Sequence, residues 1–132
     1  MHKFALIRLN EIKGKITFFK LEINGKCEFD EFCAELENAG EKKVLFNLFA
    51  TMDSIANLKY LPQKKVRELK GRKRSDKIKD YEIKKVINGV PKRIYLFKDD
   101  NGDVIVFGSS KINQKEDIQR LRRIKLEYYN SL

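Results

Sequence analysis

The side chains in this sequence that could do chemistry are mostly cations and phenols. Lys84, Lys85, Arg93, Lys111 and Lys115 fall within a stretch of strand-like segments, interleaved with Tyr81 and Tyr95. Alternate side chains of a strand share a face. Tyr81, Ile83 and Lys85 therefore point one way, and Glu82, Lys84 and Val86 the other. Arg93, Tyr95 and Phe97 alternate with Lys92, Ile94, Leu96 and Lys98. A concave sheet face bearing Lys84 or Lys85, Arg93 and Lys111 would suit a bent RNA backbone. Arginine grips a phosphate with two parallel hydrogen bonds. A lysine crowded by other cations has a lowered pKa and can serve as a base.

Other chemistries lack their residues. The one histidine, His2, stands at the terminus, so neither a Ser-His-Asp arrangement nor an HExxH metal motif can be built. Cys27 and Cys33 are too few for a four-ligand zinc site or a disulfide scaffold. Cys33 reads as a core residue; Cys27 sits at a helix entry, a position that can lower a thiol pKa, but with no histidine nearby in sequence it is not read as a nucleophile. Asp30-Glu31 and Asp99-Asp100 read as a helix surface and a turn. Gly71, Gly89 and Gly102 are isolated turn glycines and form no phosphate-cradling loop. No metal or cofactor is expected.

The charge has one location. The chain has 132 residues, 29 Lys and Arg against 19 Asp and Glu, and a net charge of +10. Residues 59–98 hold 15 basic and 4 acidic side chains, net +11, while the flanking segments are nearly neutral. A solvated surface intersperses both signs. This window instead points to an anionic partner, nucleic acid above all. The length predicts one domain over residues 1–132. No apolar run approaches the ~18 residues of a membrane span, and no secretory leader is recognisable, so the expectation is a soluble protein of the cytoplasm.

The elements that must position these residues follow from periodicity. Residues 3–9 and 15–23 read as an N-terminal hairpin interrupted at Gly14, with a turn at Asn24-Gly25. Phe29, Phe32, Cys33 and Leu36 form the apolar stripe of a helix over 28–39, ended by Gly40. A second helix over 41–58 shows Val44, Leu45, Leu48, Phe49, Met52, Ile55 and Ala56 on a broad apolar face. The basic stretch 62–80 predicts a helical turn around Val66 and Leu69, then an exposed loop. Strands over 81–87, 92–98 and 103–109 form an antiparallel meander with turns at Asn88-Gly89 and Asp99–Gly102. Residues 114–131 close the chain as a helix, with Ile118, Leu121, Ile124 or Lys125, and Tyr128 inward. The expected class is α+β: two helices of the N-terminal half on a small antiparallel sheet, with an N-terminal hairpin and a C-terminal helix.

The run VRELKG (66–71), then YEIK (81–84), KRIYLF (92–97) and VIVFGSSKINQK (104–115), followed by a closing helix, resembles the RelE/ParE toxin superfamily. It looks most like the HigB branch, and the upstream EFDEFCAEL and second helix agree with that branch's start. The resemblance covers roughly residues 28–128. It implies a RelE-like fold, a compact sheet with two helices on one side. It implies the toxin of a type II toxin–antitoxin system in a bacterial cytoplasm, its partners mRNA on the ribosome and a cognate antitoxin. Such an enzyme is a metal-independent endoribonuclease: the ribose 2′-OH attacks the adjacent phosphate and leaves a 2′,3′-cyclic phosphate. Carried across, Lys84, Arg93 and Lys111 match catalytic positions, with Arg93 and Lys111 stabilising phosphate charge and Lys84 as base. Lys70, Arg72, Arg74, Lys85 and Lys115 would contact RNA. Where many relatives place a tyrosine or histidine after Lys111, this chain has Ile112, Asn113 and Gln114, so the general acid is unassigned. Two alternatives stand beside this reading. One is a nucleic-acid-binding module without catalysis; the other is a ParE-like gyrase inhibitor on the same fold.

Overall fold

The computed structural model describes residues 2–112 and 114–132. The chain runs β1 (Phe4–Arg8), β2 (Phe18–Ile23), α1 (Glu28–Asn38), α2 (Lys42–Ala56), β3 (Val66–Glu68), β4 (Asp80–Ile87), β5 (Val90–Asp99), β6 (Gly102–Ser109) and α3 (Gln114–Asn130). The six strands form one sheet in the order β1-β2-β6-β5-β4-β3.

The antiparallel meander β4-β5-β6 forms as the turn dipeptides predict. Asn88 and Gly89 take φ of 48° and 75°, the positive values that a two-residue hairpin loop requires, between the paired Ile87 and Val90. Two features depart from the expected small antiparallel sheet. The N-terminal hairpin joins it through β2, which runs parallel to β6 with Phe18 opposite Asp103, so the sheet is mixed. Val66–Glu68 is a strand, not a helical turn; it pairs antiparallel with Tyr81–Ile83 at the sheet edge. Edge pairing satisfies the backbone of those residues through β4, which a lone helical turn could not.

Both faces of the sheet are covered. Ile83, Ile94, Leu96 and Ile105 pack against Phe29, Phe32 and Leu36 of α1 and Val44, Leu48 and Met52 of α2. The alternate residues Tyr95, Phe97 and Val104 pack against Leu121, Ile124 and Tyr128 of α3. The pairing shifts between Tyr95 and Leu96, and both Val106 and Phe107 join the α3 core. Gly108 is required where α1 crosses β6, because a Cβ there would lie 2.2 Å from Cδ2 of Phe32. Helix α1 ends where Gly40, at φ 75°, turns left-handed and the Glu41 amide donates to the Leu36 carbonyl at 2.8 Å. Among the described residues no helix is long and apolar enough to cross a membrane.

Candidate nucleic-acid interface

The α3 face of the sheet carries charges as well as apolar residues. Asp80, Glu82 and Lys84 alternate along β4 and lie opposite Phe97, Tyr95 and Arg93 of β5. Glu82 is buried. Three elements converge on its carboxylate. Arg93 of β5 donates Nε to Oε2 at 2.9 Å, Arg67 of β3 donates Nη2 to Oε1 at 2.5 Å, and Gln114 at the start of α3 donates Nε2 to Oε1. A buried carboxylate needs such partners to remain in the fold. Arg93 also reaches past the end of β6, where Nη1 donates to the Lys111 carbonyl at 3.4 Å. The register therefore places Lys84 opposite Arg93, and Arg93 beside the backbone of Lys111.

Deeper on this face the buried Tyr95 hydroxyl lies beside the buried carboxylate of Asp117. Burial, helped by the Asp117 charge, pushes the Tyr95 phenol above its ordinary value. Tyr95 is fully buried, so it cannot touch a macromolecular substrate.

The basic loop between β3 and β4 is fastened to α3. Asp80 is fully buried and receives Nε and Nη2 of Arg122 at 3.0 and 3.1 Å and Nζ of Lys125 at 2.9 Å. Lys125 also bonds the Ile78 carbonyl and pairs with Asp76, each at 2.6 Å, and Arg122 donates to the Lys70 carbonyl at 2.9 Å. Arg72 turns back into the loop, with Nη1 on the Asp76 carbonyl at 2.9 Å and Nη2 3.6 Å from Glu68. The outcome is a groove of about 760 Å³ between β3 and α3, lined by Gln63, Arg67, Glu68, Leu69, Lys70, Gly71, Arg72 and Ile118. Arg67 belongs both to the groove wall and to the Glu82 cluster, so the two are continuous.

Of the candidate residues, Lys84, Arg93 and the Lys111 backbone come together, and Lys70 and Arg72 line the adjoining groove. Arg74 is exposed in the same loop, and Lys115 is exposed in the first turn of α3. Lys85 is separated from them. It pairs with Lys92 on the opposite face, where Lys92 bonds Ser110 at 3.1 Å and lies 3.5 Å from Glu41 of the α2 entry. The choice between Lys84 and Lys85 beside Arg93 thus falls to Lys84. Asn113 lies outside the described residues.

No family model, curated protein or solved structure matches the chain.

The sequence alone did not single out Glu82, Arg67, Gln114 or Asp117. The available signal was two acids two residues apart, Asp80 and Glu82, in a strand otherwise rich in cations and β-branched residues. Their role depends on α3 covering that face. Neither cysteine reads as a nucleophile from the sequence, and the lowered pKa open to Cys27 at a helix entry is not found. Burial pushes the Cys27 thiol up, against backbone amides of Asp30 and Phe29 that pull it down, so entry to α1 does not activate it. Burial and the Asp30 charge push Cys33 up to about 12. Neither thiol forms a ready nucleophile.

Proposed function

We propose that this chain is a HigB-like toxin of the RelE/ParE superfamily, a ribosome-dependent mRNA endonuclease of the bacterial cytoplasm held in check by a cognate antitoxin. The observation that carries this reading is the strand register that sets Lys84 opposite Arg93, with Arg93 reaching the backbone of Lys111. Those are the three residues that the resemblance assigns to cleavage. The two helices α1 and α2 on one face of the sheet agree with the architecture it implies.

In this reading the basic groove draws in the phosphate backbone and the Glu82 cluster orients Arg93. Lys84 takes the proton of a ribose 2′-OH as that oxygen attacks the adjacent phosphorus. The bond to the 5′ oxygen of the next nucleotide breaks, and that oxygen leaves with a proton. The upstream fragment keeps a 2′,3′-cyclic phosphate. Arg93, with five N–H donors on its guanidinium, and Lys111 stabilise the charge that builds on the phosphoryl oxygens. The proton donor to the leaving oxygen is not assigned to a residue of this chain.

One observation favours a second reading, a nucleic-acid-binding module without catalysis. Nε of Arg93 is already engaged with Glu82, so this arginine has a structural duty that needs no substrate. Induced expression in a bacterial host with mapping of message ends separates the readings. Wild type is expected to arrest growth and to produce new message ends on ribosomes, and Arg93→Ala to remove both. Normal growth with intact messages overturns the nuclease. Growth arrest with intact messages and altered plasmid supercoiling would identify a gyrase inhibitor instead.

A further inference from the structure

The segment joining α2 to β3 presents a tyrosine to solvent with no packing role. Tyr60 is 93% exposed, whereas Tyr95 and Tyr128 are buried and Tyr81 and Tyr129 half-buried. Its position is set from both sides. Two residues past helix α2, Leu58 takes φ 59°, a left-handed conformation disfavoured for leucine, and the Lys59 amide closes the turn on the Ser54 carbonyl at 2.9 Å. Downstream, the Lys65 amide donates to the Pro62 carbonyl at 2.9 Å, making a tight turn, and the Lys65 carbonyl accepts from the Lys84 amide at 2.8 Å. Two chain steps and one turn separate Tyr60 from Lys65, so their Cα atoms lie within about 14 Å. Lys65 in turn is hydrogen-bonded to the residue opposite Arg93.

The charged residues that flank Tyr60 in sequence are all basic, and Leu58 beside it is also exposed. Between Asp53 and Glu68 the chain carries Lys59, Lys64, Lys65 and Arg67 and no acid. Gln63, three residues on, lines the groove with Arg67, Lys70, Arg72 and one acid, Glu68. An exposed aromatic ring flanked by cations and three residues from a groove wall is a combination that suits single-stranded nucleic acid: cations track phosphates and the ring stacks on a base. A protein partner could also cover the ring, but the run of cations on both sides of it favours a polyanion.

We infer that Tyr60 is a base-stacking platform for single-stranded RNA at the entrance to the groove lined by Gln63, Arg67, Lys70 and Arg72. The inference rests on the proposed RNA reading but not on cleavage. It deepens that reading by assigning the first base contact, which carries no strong sequence preference because every base has a π-face.

Fluorescence anisotropy of wild type, Tyr60→Ala and Tyr60→Phe with a labelled single-stranded RNA tests it, with an abasic oligonucleotide of equal length in parallel. Tyr60→Ala is expected to weaken RNA binding about tenfold, and Tyr60→Phe to leave it unchanged. Binding of the abasic strand, and the salt dependence set by phosphate contacts, should be the same in all three. The chain has no tryptophan, so Tyr60→Trp adds a single reporter whose emission should be quenched by RNA and not by the abasic strand. Unchanged RNA affinity in Tyr60→Ala overturns the inference while leaving the RNA reading intact, as does an equal loss for both strands. A switch from dimer to monomer in Tyr60→Ala with RNA binding unaltered would assign the ring to a protein interface. Failure of wild type to bind either strand overturns both the inference and the reading it rests on.

Discussion

Replacing Glu82 by glutamine tests whether the carboxylate is the keystone of the cationic end of the sheet. Glutamine keeps the shape and one oxygen but removes the charge. Two guanidiniums then lose their counter-charge unequally. The Arg67 side chain is 45% exposed and can turn to water, whereas that of Arg93 is 12% exposed and cannot do so fully. Removing one partner of a buried ion pair costs 3–5 kcal/mol. With one of the two arginines half-solvated, the lower end applies, about 3 kcal/mol. For a chain of this size that corresponds to a fall in Tm of about 12 °C.

Urea unfolding of wild type and Glu82→Gln measures the loss directly. The slope should stay the same, because the surface exposed on unfolding does not change. A double-mutant cycle with Glu82→Leu and Arg93→Met sharpens the test. Each single change leaves Arg93 or Glu82 without its partner, and the pair together leaves an apolar contact there with Arg67 free to turn to water, so the double variant should lose at least about 2 kcal/mol less than the sum. A loss below about 1 kcal/mol in Glu82→Gln, or additivity in the cycle, would refute the claim that Glu82 holds Arg93 in place.

Two further outcomes follow from the packing. Gly108→Ala drives a methyl group into the Phe32 ring, and thermal unfolding should show a loss of about 1–3 kcal/mol, relieved in part by Phe32→Leu. Asp103 is buried between β2 and β5, and burial raises its pKa from 3.8 to about 6 despite the opposing pull of Lys98. The folded state therefore holds a proton that the unfolded state releases, so stability is highest below pH 4, falls as pH rises to about 6 and is level above. Asp103→Asn should flatten that profile in urea titrations from pH 3.5 to 7.5 and gain up to about 3 kcal/mol at neutral pH.

The local elements were legible because their signals are local. The stripe of Phe29, Phe32 and Leu36 and the glycine at position 40 define α1 without reference to the rest of the chain. Asn88-Gly89 fixes the β4–β5 hairpin and with it the pairing of Lys84 and Arg93. The missed elements depend on distant partners. Val66–Glu68 is too short to show a period and is a strand only because β4 offers an edge. The parallel pairing of β2 with β6 joins residues more than eighty positions apart, and nothing in either strand encodes its partner's direction. Glu82 reads as one acid among many until Gln114 and Arg67 are seen to meet it.

The basic window of residues 59–98 is likewise several surfaces. Lys85 and Lys92 face the α2 side, while Lys84, Arg93 and Arg67 face the α3 side, so a single partner cannot engage all of the charge through one flat contact. Much of the α3-side charge is internally compensated: Arg67 and Arg93 by Glu82, Arg122 and Lys125 by Asp80, Arg72 by Glu68. The excess that an anion meets comes instead from Lys84 and from the exposed cations along the path from Lys59 to Arg74. Gln63, three residues after Tyr60, and Arg67 both line the groove, and Arg67 pairs with the Glu82 carboxylate that also holds Arg93. Under the proposed RNA reading, Tyr60 and the Lys84–Arg93 pair are separate points of substitution, so a loss of binding and a loss of cleavage can be measured apart.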